Sequence, residues 1–123
     1  MGKVSGEYSD LSVISSDNSR FEDVYDIIDD IKKGILETNG KFIVIPDRRE
    51  AIFYCLKNAQ KGDIIVLAGK GHETYQEING VSYHFDEREI VNDILHSIGV
   101  SLWIYIWMKL FDILTWEMRL RKI

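Results

Sequence analysis

The chain has 123 residues, enough for one domain with a modest core, and its composition is ordinary for a globular protein, with 46% hydrophobic and 28% charged residues. Twenty acidic against fifteen basic residues give a net charge of −5, which argues against a general binder of phosphate backbones, so no nucleic-acid partner is expected. The single cysteine, Cys55, excludes an internal disulfide framework and is typical of a reducing compartment. Because the N-terminus MGKVSGEYSD has no apolar signal region, a cytoplasmic location is expected.

The first half of the chain alternates between predicted strands and helices. Residues 11–16 alternate between apolar and polar side chains and then become polar, which predicts a strand that ends in a loop. Apolar residues at a spacing of 3.6 over 22–36 predict an amphipathic helix, and KFIVI at 41–45 predicts a second strand. Asp47 is the expected N-cap of a second helix. Cys55 falls on the buried stripe of that helix, where filling core space is favoured over a nucleophilic role.

The pattern of the next fifty residues completes an α/β domain. DIIVLA at 63–68 predicts a third strand, and strands separated by helices imply parallel pairing with right-handed crossovers. Two short strands then flank Asn79-Gly80, the dipeptide favoured in type I′ hairpin turns. Asp86 is expected to cap a third helix that ends near His96. Residues 1–96 therefore predict a Rossmann-like three-layer domain with a mostly parallel sheet and a small β-hairpin.

The tail, residues 97–123, differs in character because it holds all three tryptophans and a nearly unbroken apolar run over 98–108. A membrane span needs about 20 predominantly apolar residues. Extending the run that far includes Lys109 and Asp112, each of which costs about 3 kcal/mol at mid-bilayer. An extra C-terminal apolar helix packed on the domain is therefore preferred. A helix lying on a membrane surface and a true span are the alternatives, and an apolar helix of this kind also favours dimerisation.

The glycine-containing segment after the third predicted strand, AGKGHETYQ at 68–76, is the most site-like in the sequence. Open α/β sheets place ligand sites at the carboxyl ends of their strands, and glycines let the backbone come close to a ligand. Lys70, His72 and Glu73 add a cation, a titratable ring and a carboxylate. The segment does not match a Walker A loop, an H-E-x-x-H helix or a G-x-G-x-x-G turn. Spacing alone leaves a ligand-binding loop and a structural turn with exposed charges equally favoured.

A family resemblance separates these alternatives. LAGKGHETYQEINGVSYHFDEREIV closely resembles the C-terminal domain of the Mur ligases, specifically the UDP-N-acetylmuramoyl-tripeptide synthetases (MurE type) that add meso-diaminopimelate. Those enzymes show A-G-K-G-H-E-x-Y-Q, a short hairpin and F-D-D-R-E. IPDRREAIFYCLKNAQKGDIIVLAGKG and SSDNSRFEDVYDIIDDI are also similar to that family. The resemblance covers residues 1–96 and does not extend into the tail.

The resemblance implies a fragment of an ATP-dependent ligase of peptidoglycan biosynthesis, and hence of cell-wall growth, cell shape and cell division. In such a ligase, ATP activates the carboxylate of a UDP-MurNAc-dipeptide as an acyl phosphate, which the amine of a diamino acid attacks. The domains that hold ATP, Mg²⁺ and the UDP-MurNAc-dipeptide are absent from this sequence. The resemblance therefore implies no catalytic residue, no metal ligand and no cofactor in this chain, which is expected to be inactive alone.

The resemblance also implies a set of substrate-binding residues. Asp17-Asn18-Ser19-Arg20 is similar to the family's D-N-P-R motif, in which the arginine grips the distal carboxylate of meso-diaminopimelate and the asparagine adds a hydrogen bond. Gly69 would offer its backbone at close approach, and Glu73 would pair with the distal ammonium. Lysine would leave the arginine unpaired. The residues that match these motifs without an assigned role are Asp17, Lys70 and His72.

The sequence departs from the family at several points. Ser19 replaces the proline that would stiffen the turn presenting Arg20. The family's first strand and its D-R-D-x-x-K-R-P loop are absent, so the domain is expected to lack that strand. The F-D-x-R-E segment is present, and for its charged residues a helix cap and surface ion pairs are favoured; these residues are Asp86, Arg88 and Glu89.

Three functions therefore stay open from the sequence. The first is an enzyme fragment that works only with the missing domains. The second is a module that binds an amino acid or a nucleotide without turnover. The third is a structural or membrane-peripheral protein dominated by its tail.

Overall fold

Helices and strands alternate along the chain, and the architecture is α/β. The structure, a computed structural model, describes residues 1–99, 105–106 and 117–122, the last two ranges by their backbone alone. The helices are α1 (Gly2–Tyr8), α2 (Val24–Leu36), α3 (Arg48–Asn58) and α4 (Glu87–Ile98). The strands are β1 (Leu11–Ile14), β2 (Phe42–Val44), β3 (Asp63–Leu67), β4 (Tyr75–Ile78), β5 (Val81–His84), β6 (Tyr105–Ile106) and β7 (Glu117–Lys122).

Aspartates begin the three longer helices. Asp23, Asp47 and Asp86 each accept a hydrogen bond from a backbone N–H of the first turn, at 2.8, 2.8 and 2.9 Å. Each bond satisfies a donor that has no partner within the helix. The predicted caps of α3 and α4 are thus confirmed. Helix α1 was not predicted from the sequence, and its glycines let it approach α2 closely.

The main sheet has the strand order β2-β1-β7-β3-β6. The predicted parallel pairing is confirmed for β1 with β2, and β3 is parallel to β6. Strand β7 lies between β1 and β3 and is antiparallel to both. Because β1 and β3 are each antiparallel to the same neighbour, they run in the same direction. Their carboxyl ends therefore meet at one edge of the sheet.

The predicted C-terminal helix is wrong at 105–106 and 117–122, because these residues form strands, whereas Ser97 and Ile98 end α4. The sequence EMRLRK alternates polar and apolar residues, which is the period of a strand. A strand at this place also satisfies the edges of both β1 and β3. Membrane contact and dimerisation, predicted for the tail as a whole, stay untested, since residues 100–104, 107–116 and 123 lie outside the described residues. No helix among the residues described is long and apolar enough to cross a membrane.

Two apolar clusters lie on opposite faces of β1. Val13 belongs to a cluster with residues of α3 and α4, including Cys55 and Ile90. Ile14, the next residue, belongs to a second cluster formed with α2. Successive side chains of a strand point to opposite faces. Helices therefore pack on both faces of the sheet, and the short β4–β5 hairpin forms a separate two-stranded sheet.

The Cys55 thiol lies in the core, so its reactivity tests how tightly the core is packed. It is fully buried, and burial raises the pKa of the Cys55 thiol to about 12. We expect no reaction with a disulfide reagent in the native protein at mildly alkaline pH, and reaction of the single thiol after denaturation in guanidinium chloride. The absorbance of the thiolate released from the reagent measures the extent of reaction in the native and in the denatured protein. Rapid labelling of the native protein would contradict the packing of α3 described here.

The central position of β7 predicts a strong effect of proline at Leu120. Leu120 is paired with Leu11 on one side and Ile65 on the other. Proline has no N–H to donate and is confined to edge strands, so Leu120→Pro is expected to abolish the cooperative thermal transition seen by circular dichroism. Leu120→Val, which keeps the N–H and suits a strand, is the control. An unchanged melting temperature in the proline variant would contradict the placement of β7.

Candidate functional site

A cavity of about 300 Å³ lies where the loops after β1 and β3 meet. This volume is at the lower end of the range for small-molecule sites. The cavity is lined by Asp17, Asn18, Ser19, Arg20, Glu22, Ile27, Gly69 and Glu73. The structure thus brings together, at one edge of the sheet, all four residues that the sequence predicts to bind substrate.

Asn18 connects the two loops and orients the Glu73 carboxylate. Its amide nitrogen donates a hydrogen bond to Glu73 Oε2 at 3.1 Å, and its Oδ1 accepts one from the backbone N–H of Glu77 at 2.9 Å. The hairpin therefore fixes which way the amide points. An asparagine side chain has two N–H donors, so one is left for a ligand after the bond to Glu73.

A buried ion pair lies beside the cavity. Lys70 Nζ is 2.6 Å from Asp17 Oδ1 and 3.9 Å from Glu73 Oε2. Lys70 is 2% exposed and Asp17 is 5% exposed. The ammonium also lies 5.8 Å from the ring centre of Tyr75 and 5.3 Å from that of Phe85, within the range of cation–π attraction. Since Lys70 and Asp17 neutralise each other, the charges that the cavity can offer a ligand come from the remaining ionised residues.

Arg20 presents its side chain from a strained backbone. Its φ is +53°, a value that costs a non-glycine residue roughly 1–2 kcal/mol. The β4–β5 hairpin holds this conformation, because Arg20 N–H donates to Glu77 O at 3.2 Å and Asn79 N–H donates to Arg20 O at 2.5 Å. The side chain is exposed and makes no ion pair with the residues described. A strained residue with an unpaired charge at a cavity is a candidate for ligand contact.

The loop after β1 is held in place without the proline of the family motif. Ser19 N–H donates to Asp17 O at 3.0 Å, a bond that proline could not make. Gln76 of the hairpin donates from Nε2 to the same carbonyl oxygen at 3.2 Å. The stiffness expected from proline is therefore replaced by bonds to the loop itself and to the hairpin.

The glycine loop after β3 turns with left-handed backbone at Gly69 and Gly71, whose φ values are +105° and +57°. Glycine adopts such values at no steric cost. Lys70 and Glu73 both lie in this turn, with Glu73 N–H donating to Lys70 O at 3.1 Å. His72 is exposed and does not line the cavity.

Sequence reasoning missed a second buried cation, Arg48, which supports the start of the glycine loop. Its Nη2 donates to Ala68 O at 2.9 Å, and its Nε donates to Glu87 Oε1 at 2.6 Å. Arg48 is 1% exposed and Glu87 is 3% exposed. The signal that could have revealed it is an arginine in the first turn of α3, where the helix dipole disfavours a cation. Such an arginine needs a nearby carboxylate.

The charged residues at the start of α4 form the expected cap and surface ion pairs. Arg88 donates to both carboxylate oxygens of Asp86, at 3.0 and 2.7 Å. These bonds lower the pKa of Asp86 to about 2. Glu89 lies 2.6 Å from His84 Nε2, a contact that raises the pKa of His84. None of these residues lines the cavity.

Comparison with known proteins identifies the family of this chain. The profile of the Mur ligase, glutamate ligase domain, matches residues 1–71. The chain belongs to the Mur ligase family. This confirms the resemblance of its sequence to the C-terminal domain of those ligases.

The similar proteins are ligases of one kind. The UDP-N-acetylmuramoyl-L-alanyl-D-glutamate–2,6-diaminopimelate ligase of Caldanaerobacter subterraneus subsp. tengcongensis is 57% identical over 95 residues, which are 77% of this chain and 20% of that protein. The ligase of the same name from Alkaliphilus metalliredigens is 49% identical over 101 residues, 82% of this chain and 20% of that protein. A solved structure of a ligase with this name matches with a TM-score of 0.67 and 45% identity, over 72% of this chain and 18% of that one. The Mur ligase chain thus spans about a fifth of these relatives.

Mur ligases in general use ATP and Mg²⁺, but the residues described do not fit such a group. Among them no cluster of three or more His, Cys, Asp or Glu side chains could hold a metal ion. The sequence also has no Walker A loop.

Because Arg48 and Glu87 form a buried ion pair, single and double variants of the pair should differ in their free energy of unfolding. Arg48→Met leaves a buried carboxylate without a counter-charge, so the free energy of unfolding should fall by about 3–5 kcal/mol. Replacing Glu87 by methionine as well should recover most of that loss. Urea denaturation measures both, and Lys33→Met is the control because its ion pair with Asp30 is largely exposed. A double variant as unstable as the single one would show that the two side chains are not coupled.

Proposed function

We propose that this chain is the amino-acid-binding domain of a MurE-type ligase and that its cavity binds meso-diaminopimelate. The observation that carries the proposal is that one cavity holds a guanidinium together with a carboxylate of fixed orientation. Arg20 supplies a guanidinium that forms no ion pair with the described part of the chain, and Glu73 supplies a carboxylate oriented by Asn18. The relatives that share this domain are named for 2,6-diaminopimelate, which supports the same ligand.

The charges of the cavity match the distal end of the proposed ligand, where one carbon carries a carboxylate and an ammonium. A planar guanidinium donates two parallel hydrogen bonds to a carboxylate, and the remaining N–H of Asn18 can donate a third. Glu73 is the matching partner for the ammonium. Lysine lacks the distal carboxylate and would leave Arg20 without a partner, so discrimination between the two ligands is expected to be strong.

The domain would position an amine for a reaction that needs other parts of the ligase. The bound diamino acid presents its free amine to an acyl phosphate and the C–N bond forms. Phosphate leaves with the electrons of the broken C–O bond, and the proton lost by the amine passes to the phosphate. The acyl phosphate of the UDP-MurNAc-dipeptide would be made from ATP by protein outside this chain. Alone, the chain would bind the amino acid without turnover.

The architecture and location are part of the same proposal. Strands β1, β2 and β3 run in one direction and helices cover both faces of the sheet, which supports a Rossmann-like domain. A location in the cytoplasm is proposed because the reaction would use ATP and a UDP-linked substrate.

Calorimetric titration tests the proposed ligand. The full chain should bind meso-diaminopimelate in preference to lysine. Arg20→Ala should lower the affinity for meso-diaminopimelate roughly tenfold to hundredfold, because a hydrogen bond to a charged group contributes about 1.5–3 kcal/mol. The control is Arg49→Ala, which removes the same side chain from an exposed position on α3 away from the cavity.

Two results would contradict the proposal. One is the absence of heat with either ligand from a chain that shows a cooperative unfolding transition. The other is equal weakening in the Arg20 and Arg49 variants, which would place the ligand elsewhere.

A further inference from the structure

Lys70 is buried at a place where a charge is costly. Its side chain has no exposed surface, and its ammonium contacts a carboxylate and the faces of two aromatic rings. Replacing a buried ion pair by apolar residues of similar volume is often neutral or even stabilising. Stability alone therefore does not explain a lysine here, and its position between two loops suggests another reason.

The two walls of the cavity are joined by side chains. Asp17, Asn18 and Arg20 follow β1, whereas Lys70 and Glu73 follow β3. Strand β7 separates β1 from β3, so these strands do not pair directly. Two side-chain links span the loops, the Asp17–Lys70 ion pair at 2.6 Å and the Asn18–Glu73 hydrogen bond at 3.1 Å. The first is fully buried, and the second lies at the cavity and is only partly buried.

We propose that Lys70 is a positioning residue that sets the separation between the Arg20 guanidinium and the Glu73 carboxylate. This rests on the proposed function, since the ligand is the diamino acid that spans those two groups. Lys70 holds Asp17 directly, and its ammonium attracts Glu73 Oε2 across 3.9 Å. It does not line the cavity. Its contribution is geometric and electrostatic, made through Asp17 and Glu73.

Lys70 is expected to affect the selectivity between two ligands more than the affinity for either one. A ligand with both a carboxylate and an ammonium at its distal end needs Arg20 and Glu73 at one fixed spacing. A ligand with the ammonium alone does not. Loss of Lys70 should therefore weaken the binding of meso-diaminopimelate more than the binding of lysine. The ratio of the two affinities should fall roughly tenfold, because one hydrogen bond to a charged group would be misplaced.

The test compares Lys70→Met with the double variant Asp17→Asn, Lys70→Met in the full chain. The single variant leaves Asp17 buried without its counter-charge and should be less stable. The double variant removes both charges and should regain stability, measured by urea denaturation. If Lys70 positions the site, the double variant regains stability without regaining the preference for meso-diaminopimelate. Recovery of both together would overturn the proposal, because the pair would then serve the fold alone.

Lys57→Met is the matched control. Lys57 is exposed, and its ammonium lies 5.7 Å from the ring centre of Phe53, so the substitution also removes a cation near an aromatic ring. It lies on α3, away from the cavity. Both the stability and the ligand preference should stay at the values of the unaltered chain, and an equal loss of preference in this variant would also overturn the proposal.

A readout that needs no ligand keeps this inference separate from the proposed function. The side-chain amide of Asn18 donates to Glu73 across the two loops, so its NMR resonances and hydrogen exchange report on their separation. They should shift, and exchange should accelerate, in the folded double variant but not in Lys57→Met. Unchanged Asn18 resonances in a folded double variant overturn the positioning role. Failure of the unaltered chain to bind either ligand overturns the proposed function instead.

Discussion

The ion pair between Lys70 and Asp17 is the buried link between the two walls of the cavity. It joins loops that follow two strands with no direct pairing between them. Its burial means that water does not screen the attraction, so the link is stronger than a surface pair would be. Pairing also cancels two charges inside the site. In the proposed function, the Arg20 guanidinium and the Glu73 carboxylate are then the groups that bind the ligand, because the Lys70–Asp17 pair adds no net charge.

The local signals of the sequence predicted most of the elements that build the site. Polar–apolar periodicity located α2 and α3, and Asn79-Gly80 located a hairpin turn in which both residues have positive φ, +51° and +74°. The end of β3 and the two glycines located the loop that carries Glu73. These predictions succeeded because each depends on residues near one another in the chain.

Long-range pairings had no comparable signal. Arg48 and Glu87 are 39 residues apart, and Asp17 and Lys70 are 53 apart, so neither ion pair follows from spacing. The role of β7 was hidden for a different reason. Its alternating residues follow a strongly apolar run, which led to a helix being predicted over the whole tail, whereas the two strand edges that it joins lie far earlier in the chain.

The left-handed backbone at Arg20 has a consequence for protein engineering. At such a φ, glycine would relieve the strain, and asparagine would tolerate it better than arginine does. A screen that rewards only thermal stability would therefore favour replacing Arg20 early. The stabilised proteins that emerged would have lost the guanidinium of the cavity. If Arg20 binds the ligand as proposed, stability and recognition conflict at this position, and selection for both is needed to keep the arginine.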